Sequence, residues 1–227
     1  MILHIPHSSE LIPSYEDEMA KDKEVLNAIE RYTDFKTNEL FSFEKATKVE
    51  YAYSRLFCDV EKLEKNEPME KLGLGILYDV SKKSRKYPNR ALETYTKHHK
   101  KLLEVTSLEL DLFDRAIIID CHSFSAEQAK EQGFNEDLPN ICLGVDEIHT
   151  SDVLVSLCKE HFNKDGYSIG VNVPFCGTII PLTLYGNENI LSIMIEINKE
   201  SYDSDEKFLA LKRSIGTLLE KIHTLYN

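Results

Sequence analysis

The stretch Ala116-Ile117-Ile118-Ile119-Asp120-Cys121-His122-Ser123 decides how this chain is read. Its first four residues form a short apolar run without a polar alternate, the signature of a strand covered on both faces. The polar residues begin where that run stops. Upstream, Ala91 to Phe113 reads as a long helix with Leu92, Tyr95, His99, Leu102, Leu103, Thr106 and Leu110 on one face, and His98 pointing elsewhere. Downstream, strands are expected at Ile141–Val145, Ser168–Val173 and Ile190–Ile197, with a helix Asp152–Phe162 capped by Ser151. A closing helix from about Asp205 carries the stripe Phe208, Leu211, Ile215, Leu218, Leu219 and Ile222, which reads as core packing. Toward the N-terminus, Ile2–Ile5 is a short buried strand stopped by Pro6. Glu16–Glu30 and Thr37–Phe43 read as helical, and Lys48–Val60 as extended. Asn66–Asn89, with Gly73, Gly75 and Pro88, reads as a long irregular loop or lid. Strands alternating with helices predict an α/β fold: three layers, α/β/α, around a mostly parallel mixed sheet, formed by one domain over residues 1–227.

Composition narrows the function. The net charge is -12, and a phosphate backbone demands basic patches, so nucleic acid is not expected as a partner. An anionic substrate would need a locally positive pocket made by a metal or an arginine. No apolar run reaches the ~18 residues of a membrane span. Met1-Ile2-Leu3-His4 lacks the basic start of a secretory signal, so a cytoplasmic protein is the expectation. The five cysteines are odd in number and show no CxxC spacing, which predicts reduced thiols rather than disulfides or a cysteine zinc site.

Ligands of α/β folds sit beyond the carboxyl ends of the strands. After Ile2–Ile5 comes Pro6-His7-Ser8-Ser9-Glu10, after Ile117–Ile119 comes Asp120-Cys121-His122-Ser123, and Glu196 closes the run from Ile190. If these strands are neighbours, two imidazoles and a carboxylate meet on one rim. Neutral imidazoles suit zinc, and a carboxylate beside metal-activated water is the usual general base. Each residue alone has a structural reading. A strand-end histidine can bind a backbone carbonyl, Glu196 can be an ion-pair partner, and Ser8 or Ser9 a helix cap.

Seven short segments in order then show a family likeness. They are His4-Ile5-Pro6-His7-Ser8-Ser9, Thr33-Asp34, Tyr53-Ser54-Arg55-Leu56-Phe57-Cys58-Asp59, His99, Asp120-Cys121-His122-Ser123, Pro174-Phe175-Cys176-Gly177 and Ile195-Glu196. Together they resemble the motifs of the N-formylglutamate amidohydrolases, whose fold is similar to that of zinc carboxypeptidases and aspartoacylases. The resemblance implies a mixed sheet between helices, one divalent metal of the zinc type held by His7 and His122, and Glu196 as the base that activates water. It implies hydrolysis of a small anionic N-acyl amino acid, with N-formyl-L-glutamate as the family substrate.

Several assignments stay open. The third metal ligand is Asp34, which matches a recurring family aspartate, or Glu10, which has His-x-x-Glu spacing from His7 but also suits a first helical turn. Arg55 in an apolar segment is a fork for a substrate carboxylate or the scissile carbonyl, or a structural partner of Asp59. Arg90 is a second carboxylate binder. His99 is a core residue, or one that orients the metal shell or the substrate. Gly177 marks a tight turn that lets backbone approach a ligand. Cys176 with His122 would make a nucleophilic hydrolase, though two histidines with Glu196 favour metal. The chain departs from the family at Glu61-Lys62, where Asn-Arg is common, which opens the substrate to other N-acyl amino acids or short peptides. A non-catalytic binding protein that keeps the pocket is the rival class.

Overall fold

A computed structural model describes residues 1–64, 67–135 and 137–226. Its six strands are β1 (Ile2–Ile5), β2 (Thr47–Glu50), β3 (Ala116–Phe124), β4 (Ile141–Gly144), β5 (Ile169–Val171) and β6 (Ile190–Asn198). They form one sheet in the order β2-β1-β3-β6-β4-β5. β2, β1, β3 and β6 run parallel, and β4 with β5 runs antiparallel to them through β6. The chain winds outward from β1 to β2, then returns to place β3 on the other side of β1. That reversal is the switch point at which such sheets open a crevice.

The two faces of the sheet bury different chemistry. Leu3, Ile5, Ile117, Ile119, Cys121, Ile193, Ile195 and Ile197 enter one core, with Leu211, Ile215, Leu218, Leu219 and Ile222. The opposite face starts apolar, with Ile2, Ala116, Ile118 and Ile190 packed with Leu102 and Val105. Farther along the same strands its alternate positions include His4, Asp120, His122, Ser192 and Glu196, buried and polar, with Met194 the apolar exception. A face that changes from apolar to ionisable along its own strands is where a site can be built without opening the core beneath.

The helices are α1 (Lys23–Tyr32), α2 (Thr37–Leu40), α3 (Pro88–Phe113), α4 (Ala126–Glu131), α5 (Asp152–Lys164) and α6 (Asp205–Tyr226). α2, α5 and α6 contribute to the apolar face, and α3 covers the other, completing the three layers. Ser151 caps α5 as expected, its side chain accepting from the Leu154 N–H. No helix among the described residues is long and apolar enough to cross a membrane. All five cysteines are free, four buried and Cys176 exposed.

Four local expectations are corrected. The helix expected over Glu16–Glu30 is split: a 3-10 turn at Met19–Lys21 ends at Asp22, whose carboxylate caps a new helix by accepting from the Glu24 and Val25 N–H groups. Of the expected extended Lys48–Val60 only residues 48–50, within β2, are strand, because the segment leaves the sheet after pairing with β1 and folds into turns. The irregular stretch begins at Asn66, outside the described residues, and from Pro68 it carries 3-10 helices at Pro68–Leu72 and Asp79–Ser81. α3 starts at Pro88 and buries Ala91, Tyr95, His98, Leu102, Val105 and Thr106, so its inner face is rotated by about one residue: His98 is buried, and His99 only half-buried.

Gly144 couples the sheet to the loop after β5. A Cβ there would lie 2.1 Å from the Gly177 carbonyl oxygen and 2.4 Å from Met194 Cε. Gly144→Ala should therefore push the Pro174–Gly177 loop off the sheet. We expect a loss of ~1–3 kcal/mol, the scale of core overpacking, read as a lower midpoint in urea unfolding. An unchanged midpoint would mean that this loop moves aside freely.

Candidate active site

β1 delivers His7 just beyond its end, and β3 delivers His122 opposite Glu196 of β6 in register. Asp34 follows α1, and its N–H donates to the His7 carbonyl at 2.9 Å, which fixes the turn beside the histidine. The three groups converge. Asp34 Oδ2 lies 3.2 Å from His122 Nδ1 and 3.7 Å from His7 Nδ1. All three residues are buried. His7 Nδ1 and Asp34 Oδ1 are sealed from solvent without a hydrogen-bond partner. Two nitrogens and a carboxylate oxygen meeting around unsatisfied atoms are a donor set suited to a zinc-like cation. Asp34 lies within this group, whereas Glu10 is exposed and stands outside it.

Each histidine is held from behind by a carboxylate. His7 Nε2–H donates to Asp59 Oδ1 at 2.8 Å, and His122 Nε2–H donates to Asp120 Oδ1 at 3.1 Å. That leaves Nδ1 of both rings as the face toward Asp34, the arrangement that orients metal-ligating imidazoles. Cys176 is exposed in the cavity wall, and among the described residues no hydrogen bond joins it to His122.

A second layer lies deeper. His4, fully buried, donates from Nδ1 to Asp120 Oδ1 at 2.9 Å, and Glu61 Oε1 lies 3.0 Å from the same nitrogen. Its Nε2–H donates to His98 Nε2 at 2.8 Å. Burial alone would lower the His4 pKa, but the Asp120 and Glu61 carboxylates outweigh it and raise it to about 9. Burial, with His4 beside it, pushes His98 down to about 2, so it is the neutral acceptor of the pair. Burial likewise opposes charge on His122, yet Asp120 and then Asp34 hold its pKa well above the usual imidazole value. For Glu196 burial dominates and pushes the carboxyl up to about 8, while its Oε2 has no hydrogen-bond partner.

A cavity of about 400 Å³ opens onto His7, Asp34, His122 and Glu196, and its walls include Arg55, Lys62, Gln128 and Cys176. Arg55 donates from Nε and Nη2 to Asp59 Oδ2 at 3.0 and 2.7 Å, and Tyr78 OH donates to the same oxygen at 2.7 Å. The expected structural pair is thus present, and the guanidinium still reaches the cavity. Arg90 does not: it is exposed and lies over the Tyr15 and Tyr87 rings at 4.9 and 5.0 Å. His99 is also outside the cavity, its ring nitrogen donating to the Val60 carbonyl at 2.9 Å. Gly177 has φ +83°, the left-handed conformation that a tight turn after Pro174–Cys176 requires. Sequence reading missed Asp59 and Asp120 as supports of the histidines, and His4 with His98 altogether.

A buried acid of raised pKa facing paired imidazoles across one pocket, at the switch point of a mixed sheet, belongs to a hydrolytic α/β enzyme. Comparison with known proteins narrows the class. The N-formylglutamate amidohydrolase family model matches residues 1–203, and the chain belongs to that family of amidohydrolases. Among solved structures, it is similar to the N-formylglutamate amidohydrolase from Ralstonia eutropha JMP134, with a TM-score of 0.77, 17% identity, and 99% of this chain and 93% of that one covered. It is also similar to the gene product Atu2144 from Agrobacterium tumefaciens, with a TM-score of 0.69, 18% identity, and 98% and 91% covered. At these identities the likeness carries the fold. No curated protein matches the chain.

The raised His4 pKa makes a prediction for the metal-free protein. A group whose folded pKa exceeds its unfolded value adds stability below the unfolded pKa, 6.5, and loses it as pH rises through about 9. The loss should be of order ~3 kcal/mol. Chemical denaturation between pH 6 and 10, in chelator, should show a steeper fall for the wild type than for His4→Gln. Parallel curves would show that His4 does not hold its proton in the folded state.

Proposed function

We propose that this chain hydrolyses N-formyl-L-glutamate to formate and L-glutamate, with one divalent metal, zinc by the donor set, held by His7 Nδ1, His122 Nδ1 and Asp34. The observation that carries the reading is the pair of sealed, unpartnered atoms, His7 Nδ1 and Asp34 Oδ1, converging with His122 beside Glu196. When bound, such an ion supplies Lewis acidity, polarising an amide carbonyl and acidifying water.

The protein groups do the rest. Glu196 takes the proton of the attacking water on its unpartnered Oε2 and returns it to the amide nitrogen as the C–N bond breaks. Its pKa of about 8 reflects burial, and would fall toward working pH beside a bound cation. Asp59 and Asp120 keep the imidazole rings aimed while charge develops. Arg55 and Lys62 supply positive charge at the cavity wall for the substrate's α-carboxylate. Lys62 is well placed for this, since its nearest carboxylate is Glu67 at 3.9 Å, beyond hydrogen-bond range. This local charge answers the acidity of the whole chain, -12.

Glu196→Gln tests the mechanism because it keeps the shape and removes the base. The variant should bind about one metal ion and keep its melting temperature, while kcat on N-formyl-L-glutamate falls by ~10²–10⁴-fold. Loss of the metal together with activity would make Glu196 a ligand, and near-wild-type kcat would end the proposed role. His122→Ala should lose the metal.

A further inference from the structure

α4 opens with a reciprocal cap whose second member lies in the cavity wall. Ser125 Oγ accepts the Gln128 N–H at 3.2 Å, and Gln128 Oε1 accepts the Ser125 N–H at 2.8 Å. The ammonium of Lys199, three residues beyond Glu196, donates to the same Oε1 at 3.3 Å. A backbone N–H and an ammonium can only donate, so the atom between them is the amide oxygen, and the orientation of the Gln128 amide follows. Its oxygen is thereby committed twice. Its Nε2, with two hydrogens to donate, has no hydrogen-bond partner among the described residues. Gln128 is 7% exposed and lines the cavity that holds His7, His122 and Glu196, where those donors are open to a ligand.

We propose that Gln128 is the specificity-determining contact for the side-chain carboxylate of the substrate. The inference rests on the N-formylglutamate reading and deepens it. The α-carboxylate is common to every amino acid, and the cations of the cavity wall, Arg55 and Lys62, suit it by charge. Telling one side chain from another needs a group that separates acceptors from donors. A fixed amide N–H pair biases that choice: both oxygens of a carboxylate can accept from it, whereas a side-chain amide offers one acceptor oxygen and an N–H₂ that can only meet it donor to donor. Lys199 adds to the preference. No carboxylate lies within ion-pair distance of it among the described residues, so its charge stands behind the Gln128 amide and favours an anion there. Lys199 is a positioning residue; Gln128 is the one that touches the substrate.

The experiment compares kcat/KM on N-formyl-L-glutamate and N-formyl-L-glutamine. The wild type should prefer the glutamate derivative by ~10–100-fold, the scale of one hydrogen bond to a charged group in a buried site. Gln128→Glu keeps an oxygen for both Ser125 and Lys199, so its melting temperature should stay within a few degrees. The order of substrates should invert, because the new carboxylate oxygen accepts from the glutamine amide and repels the glutamate carboxylate. Gln128→Met keeps the bulk, and should erase the preference without inverting it. It carries the test if Gln128→Glu does not fold. Lys199→Met should weaken the preference and leave its direction. A wild-type ratio retained by folded Gln128→Glu or Gln128→Met overturns the proposal. A wild type that hydrolyses no N-formyl amino acid overturns the functional reading, and this inference with it, so the two failures are told apart.

Discussion

The register of β3 against β6 is the constraint from which the site follows. His122 stands opposite Glu196, and Asp120 opposite His4, because these strands run parallel in one alignment. Side chains alternate along a strand, so a slip of one residue would bring Cys121 and Ile195 into the cavity and drive His122 and Glu196 into the apolar core. The opposite face forbids that slip. Ile117, Ile119, Ile193, Ile195 and Ile197 are packed under α6, each contributing ~1.5–3 kcal/mol on burial. The core therefore does more than stabilise the sheet: it sets the phase in which the ionisable residues emerge on the other side.

Bringing that many charges out of water is unfavourable unless each has a partner. The site resolves this in pairs. Asp59 is held by Arg55, His7 and Tyr78, and its carboxyl stays well below the usual range because Arg55 and His7 outweigh its burial. Asp120 is shared by His122 and a protonated His4. Without the His4 charge, Asp120 would be a buried carboxylate facing the His122 imidazole alone. His98, kept neutral, lets His4 hold its proton by accepting from Nε2. At the front His7 Nδ1, Asp34 Oδ1 and Glu196 Oε2 remain without hydrogen-bond partners; in the layer behind, Glu61 Oε1 also has none, though it lies 3.0 Å from the charged His4 ring.

Part of this was legible because strand ends advertise themselves. In Ile117-Ile118-Ile119-Asp120-Cys121-His122 and in Ile193-Met194-Ile195-Glu196-Ile197 the odd positions stay apolar while the even ones turn ionisable, the trace of a sheet with one dry face and one functional face. Asp34 emerged only through the family likeness, and its position beside His7 and His122, with Glu10 outside, needed the geometry, since two carboxylates at plausible offsets look alike in sequence. His98 and His99 were exchanged because a one-residue phase error on a long helix is invisible to periodicity alone; only the packing of His98 against His4 settles it. Arg90 was misplaced because an exposed arginine stacked on tyrosines shares the composition of a cavity arginine. α4 was missed although Ser125-Ala126-Glu127-Gln128 carries capping-box spacing, because a helix of six residues gives almost no periodic signal.

The segment Tyr51–Lys62 shows why an apolar sequence need not be strand. Once past β2 its backbone has no sheet neighbour, and its buried N–H and C=O groups must be satisfied otherwise. The Asp59 N–H donates to the Ile76 carbonyl at 2.8 Å, and the Ser54 N–H to the Leu11 carbonyl at 2.9 Å. Arg85 donates to the Leu56 and Phe57 carbonyls, His99 to Val60, and Tyr95 OH to Lys62. Residues far apart in sequence therefore read the backbone of one loop, and α3 contributes two of the clamps. His99 gains its meaning there: it fixes the carbonyl one residue beyond Asp59, and Asp59 in turn aims His7. Groups that act at sub-ångström tolerance are normally mounted on regular elements. Here a loop carries Arg55, Asp59 and Lys62, because Arg85 and side chains of α3 pin its carbonyls one by one as a neighbouring strand would.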